Sequence, residues 1–77
     1  MTKAEQMTIR NMIDTIESFR YTIEEIHDRD EATYDSRSER WQDSEKGEAF
    51  CEMVESLDDA IQALDEAKDY LEEAIRA

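Results

Sequence analysis

Glu24 and His27 stand three residues apart in Glu24-Glu25-Ile26-His27, the Glu-x-x-His spacing that puts two ligands on one helical face in carboxylate-bridged metal bundles. Two copies of this pair with two further glutamates would complete a carboxylate/His metal site, so a metal-binding bundle is one reading of the chain. The heptad register counts against it: with Ile9 at position a, Glu24 falls at b and His27 at e, off the a/d line expected to be buried. A helix-end histidine beside the negative end of the helix dipole accounts for His27 without a metal. Asp28, Asp30 and Asp35 fall in a segment that reads as a loop, yet the glycine and closing glutamate of a calcium-binding EF-hand loop are missing. Catalysis by a serine, cysteine and histidine set would require His27, the only histidine, to reach Cys51, the only cysteine, or a serine across the fold. Cys51 is more simply a small apolar residue flanking a helical stripe. No catalytic, cofactor or metal residue is assigned, and the chain reads as non-enzymatic.

Whatever these side chains do, helices must carry them. Forty per cent of the 77 residues are charged, there is no proline and only one glycine, a composition that either stays disordered or gathers its apolar residues into narrow helical stripes. The stripes are present. Ile9, Met12, Ile16, Phe19, Ile23 and Ile26 recur in steps of three and four, with Ile13 beside them at an e position, and predict a helix over about 3–27 that begins near Thr2 or Thr8. Phe50, Met53, Leu57, Ala60, Leu64, Ala67, Leu71 and Ala74 form a second a/d seam alternating large and small side chains. Val54, Ile61 and Ile75 widen it on the e side, predicting a helix over about 44–76.

Between them, about 28–43, the period lapses into an Asp-, Ser- and Arg-rich connection. Ser36 with Glu39 fits a capping box there, a short helical turn is expected around 38–43, and Ser44 is placed to cap the second long helix. The fold class is therefore all-α, a single domain over 1–77 built as an antiparallel helical hairpin. A stripe three positions wide exceeds what one partner helix covers, so two hairpins are expected to associate as a homodimeric four-helix bundle through Ile9, Met12, Ile16, Phe19, Ile23, Leu57, Ile61, Leu64 and Leu71.

Charge bounds the partners. The formal net charge is -13, which excludes a direct grip on nucleic acid or anionic lipid and points to a neutral or basic protein partner. Residues from Trp41 onward hold twelve acids against three bases, so the second long helix carries most of the field. Its outer acids Glu48, Glu52, Glu55, Asp59, Glu66, Asp69 and Glu73 are either a solubilising face or a mimic of nucleic-acid phosphates that occupies a basic groove. Tyr34, Arg37, Arg40 and Trp41 interleave aromatic and basic residues. They are either a plug for the end of the bundle or a partner-binding loop, since Trp, Tyr and Arg dominate interface hot spots. No run of about 18 apolar residues could span a bilayer, and the lone cysteine suits a reducing compartment, so the expected location is cytoplasmic.

The stretch Arg37-Ser38-Glu39-Arg40-Trp41-Gln42-Asp43-Ser44-Glu45-Lys46-Gly47-Glu48-Ala49-Phe50, running into Leu57-Asp58-Asp59-Ala60-Ile61-Gln62-Ala63-Leu64-Asp65-Glu66-Ala67, resembles small acidic uncharacterised proteins of bacterial genomes and their mobile elements. The resemblance spans about half the chain and implies a bacterial or phage origin. With the acidic face, that origin raises an anti-defence role as the alternative to a self-associating interaction protein.

Overall fold

The computed structural model describes residues 1–76, which form three helices: α1 (Lys3–Asp35), α2 (Glu39–Gln42) and α3 (Glu45–Arg76). There is no strand among them. α1 and α3 lie side by side as an antiparallel hairpin 57 Å long and about 15 Å across, with α2 turning the corner.

Each terminus has a local cause. The Thr2 hydroxyl accepts from the Glu5 backbone N–H at 3.1 Å while the Glu5 carboxylate accepts from the Thr2 N–H at 2.9 Å, a reciprocal capping box. Ser44 starts α3 as expected, its Oγ accepting from the Gly47 N–H at 3.2 Å. Ser36 departs from the expected capping box. It closes α1, its hydroxyl donating to the Thr33 carbonyl, and Ser38 is the residue that caps α2 by accepting from the Trp41 N–H.

α1 also continues eight residues beyond the expected end at His27, so Asp28, Asp30 and Asp35 lie on a helix and not in a loop. Neither proline nor glycine interrupts Asp28–Asp35, and Tyr34 holds the last turn by packing on α3 through Phe50. The a/d count misses this extension because its next positions are Asp30 and Thr33, which are polar. The two long helices consequently have nearly equal lengths, 33 and 32 residues.

The seam between them is also rotated from the expected line. Ile13 and Ile61, each 8% exposed, are the only buried apolar side chains among the described residues, and both occupy e positions. Going along α1, the covered a and e positions are Gln6, Ile9, Ile13, Ile16, Arg20, Ile23, His27, Asp30 and Tyr34, joined by Glu17 and Glu24 at b. Along α3 they are Gly47, Phe50, Val54, Leu57, Ile61, Leu64, Lys68, Leu71 and Ile75, joined by Cys51, Asp65 and Glu72 at b and by the half-buried Ala60 and Ala67 at d. The a and e rows are the two covered along their whole length. The d residues Met12, Phe19, Ile26 and Met53, expected in the dimer or helix-packing seam, are 48%, 57%, 36% and 41% exposed within one chain, and Ala74 is exposed too. The reason is area. An isoleucine at Ile61 or Ile75 removes far more apolar surface from water than the alanine at Ala60 or Ala74, at about 25 cal/mol per Å². That area favours e on α3, and α1 follows because e faces e in an antiparallel pair, where Arg20 gains Asp65.

Gly47 is buried where α3 meets the corner. A Cβ there would lie 2.1 Å from the Trp41 carbonyl oxygen and 2.5 Å from that of Gln42, both backbone atoms. Gly47→Ala, which would ordinarily stabilise a helix, is expected to lower stability by about 1–3 kcal/mol through overpacking, read as a reduced urea midpoint with an unchanged slope.

Candidate interaction surface

The a/e seam gives the hairpin two unlike faces. In antiparallel helices the d and g flanks of both fall on one side and the b and f flanks on the other.

The b side is charged and internally paired. Arg20, at e, donates from Nε to Asp65 at 2.6 Å and also pairs with Glu24. Lys68, at e on α3, reaches Glu17 at 3.0 Å. The stems of these cations lie along the seam while their heads meet acids of the facing helix. Hydrogen bonding to Asp65 raises the Arg20 pKa, and hydrogen bonding to Glu17 raises that of Lys68. His27 sits lower in the same row, with Nδ1 3.1 Å from Asp28 and Nε2 3.4 Å from Glu31. It is neither at a helix end nor off the packed line. Glu24 is turned to Arg20, so the Glu-x-x-His pair is divided between two sets of partners. Among the described residues no group of three or more His, Cys, Asp or Glu side chains is gathered to hold a metal ion.

The d side is apolar. Phe19, Ile23 and Leu64 line a shallow groove with Ser18 and Thr22, and a second groove runs along Met12, Ile16 and Phe19 beside Thr8 and Thr15. Charge is nearly excluded. Of the seventeen d and g positions of the two long helices between Thr8 and Ala74, eight on α1 and nine on α3, only Arg29 and Lys46 are charged. In a chain 40% charged about seven would be expected, and no acid is found among them although the chain has 22. The a/d spacing placed the d residues in one dimer or helix-packing seam without separating the contact within the hairpin from a contact between hairpins. The signal that could have separated the flanks was this acid-free g row of Thr8, Thr15, Thr22, Ala49, Ser56, Ala63 and Tyr70, in which Arg29 is the one charge.

No protein-family model, curated protein or solved structure matches the chain.

At the corner, Tyr34, Trp41 and Phe50 form a three-ring cluster. Trp41 meets Tyr34 edge-on at 6.0 Å and Phe50 at 5.7 Å, and Tyr34 stacks on Phe50 at 6.4 Å. Gln42 ties α2 to α1 by donating to the Tyr34 carbonyl at 2.9 Å. Trp41 thus faces inward between the helices. Arg29 pairs with neighbouring Asp30, whereas Arg37 lies over the indole at 4.2 Å in a cation–π contact. Arg40 is exposed. Burial pushes up the pKa of the Tyr34 phenol.

The seven outer acids from Glu48 to Glu73 are all exposed. Among the described residues none of them takes part in an ion pair. They follow c and f of α3, with Gln62 interrupting the row.

The Asp28 hydrogen bond, assisted by the Glu31 charge, raises the His27 pKa above its usual 6.5. Its ion pairs therefore contribute fully below pH 6.5 and are lost as pH rises through the raised folded-state value. Comparing thermal melts of the wild type with His27→Gln across pH 5.5 to 9, on the order of the histidine range, should give a Tm advantage for the wild type that shrinks as pH rises. An advantage independent of pH would contradict this assignment.

Proposed function

We propose that the chain is a non-enzymatic interaction protein that self-associates through its d/g face into a four-helix bundle and presents its remaining surface to a protein partner. The observation that carries the reading is the exposed apolar row Met12, Phe19, Ile26 and Met53 set in a flank that holds no acid from Thr8 to Ala74. Monomeric soluble proteins rarely leave a continuous apolar strip uncovered. The face also suits a second copy better than an unrelated protein, because every acid of the chain lies off it from Thr8 to Ala74. Two copies can thus approach without juxtaposing their like charges.

Closing this face makes the a positions Ile16, Ile23, Leu57 and Leu64 the centre of the bundle. The e residues then seal the contact within each chain and the g residues the contact between chains. Thr and Ala at g permit close approach. The aromatic corner holds each hairpin together at its closed end and leaves Arg40 exposed for a partner. A cytoplasmic setting accords with the unpaired Cys51, and among the described residues no helix is long and apolar enough to cross a membrane.

Sedimentation equilibrium tests the association. The wild type is expected to be a dimer at micromolar concentration and Phe19→Glu a monomer that keeps its helicity, because Phe19 takes little part in the hairpin's own seam. A wild type that remains monomeric at about 100 μM, some hundredfold above a micromolar Kd, would overturn the reading.

A second reading is favoured by the unpaired outer acids. One hairpin carries a net charge of -13 along 57 Å. That is roughly one negative charge per 4 Å, and a dimer of the same length would carry about one per 2 Å, against about 1.7 Å for duplex DNA. Assembly would bring the rod close to the linear charge of a duplex, as an anti-defence protein occupying a basic nucleic-acid groove requires. On this reading a protein captured by the immobilised dimer is displaced by duplex DNA and by raising salt from roughly 0.05 to 0.2 M. Capture is also lost when Glu52, Asp59, Glu66 and Glu73 are all changed to Lys. Capture that survives the fourfold reversal would exclude mimicry while leaving the interaction protein intact.

A further inference from the structure

The levels of side chains along the hairpin decide how two copies would fit. Arg20 lies level with Asp65, and Glu17 with Lys68, so each step up α1 is one step down α3. By that count Met12 is level with Glu73, Phe19 with Glu66, Ile26 with Asp59 and Met53 with Ala32. The nearest d residue on the other helix is then one position away in every case: Ala74 for Met12, Ala67 for Phe19, Ala60 for Ile26 and Thr33 for Met53. Each level of the apolar face thus presents one bulky and one small side chain, and the bulky one changes from α1 to α3 only at the closed end.

Two face-to-face dimers with two-fold symmetry are possible. If the axis runs along the helices, α1 of one copy packs on α3 of the other, levels are preserved between chains and both corners lie at the same end. If the axis crosses the helices, α1 packs on α1 and α3 on α3, and the corners lie at opposite ends. The second arrangement sets the Met12, Phe19 and Ile26 row against its own copy and the Ala60, Ala67 and Ala74 row against its own copy. The two helix pairs would then require different separations within the usual 8–10 Å range, which depends on side-chain size at the contact. In the first arrangement every bulky residue meets a small one and both interfaces have the same width, as close packing demands.

We infer that two copies of this chain pair with α1 of each on α3 of the other, the two-fold axis parallel to the helices and both Trp41 corners at one end. This deepens the self-association proposed above and rests on it. The result is a polar rod, with both aromatic corners at one end and both pairs of chain termini at the other.

The test places a nitroxide label at Arg40→Cys, an exposed corner position, in a Cys51→Ser background, and combines sedimentation equilibrium with pulsed electron–electron resonance on the full chain. A dimer with a label separation of roughly 20–30 Å, the width of a bundle, is the expected result; helix diameters are about 10–12 Å before the label arms are added. A dimer with a separation of roughly 50 Å or more, approaching the length of the two 32–33-residue helices at 1.5 Å per residue, would overturn the shared-end pairing while preserving self-association. A wild-type chain that stays monomeric would overturn both. A second arm uses size exchange: Phe19→Ala weakens the dimer at least tenfold, and adding Ala67→Phe recovers most of the loss. Failure of the recovery, with helicity intact, counts against the Phe19 to Ala67 contact between chains.

Discussion

The packing of α1 on α3 through positions a and e is the constraint from which the remaining features follow. Relative to an a/d seam it turns each helix by about 50° about its own axis, since successive residues are 100° apart. That rotation brings Ile13 and Ile61 into the interior and carries the stems of Arg20 and Lys68 along the seam, where Asp65 and Glu17 of the opposite helices meet their charges. It equally turns Met12, Phe19 and Met53 outward on one common side. A charged, internally paired face and a bare apolar face are therefore two results of one rotation.

The corner is fitted to the same geometry. For helices this close to be joined, the chain must turn back within a few residues, and α2 does so in a single helical turn. Gly47 makes the approach possible because the backbone of Trp41 and Gln42 occupies the space a side chain would need. The Tyr34, Trp41 and Phe50 rings then pack on one another where α1, α2 and α3 meet. The aromatic and basic residues grouped in the sequence are thus divided: the rings are mainly structural, Arg37 covers the indole, and Arg40 remains at the surface.

With only two aliphatic side chains buried among the described residues, the hairpin has a thin core for its length, and small chains of this kind commonly obtain the missing burial by oligomerisation. Closing the d/g face would convert the a line from a half-covered edge into a centre. The acids of α3 and the paired ions of the b side would stay on the outside. In that assembly the a/d pattern legible in the primary structure describes the bundle core, while the a/e pattern describes the contact within one chain.

The amino-acid sequence alone determined the all-α class, the number and direction of the long helices, the Ser44 start, the short turn around Trp41 and the concentration of acid on the second helix, and it narrowed the first start to Thr2 or Thr8. These depend on local spacing and on side chains within one turn of each other. Only the tertiary structure decided which flank of the a line faces the sister helix, that α1 runs on to Asp35, and that Glu24 turns to Arg20 and away from His27. Periodicity locates a stripe around a helix but does not say what lies opposite it. The choice between Ile61 and Ala60, or between Ile13 and Met12, is made by the area and charge that the facing helix offers, and that helix is some 45 residues away along the chain.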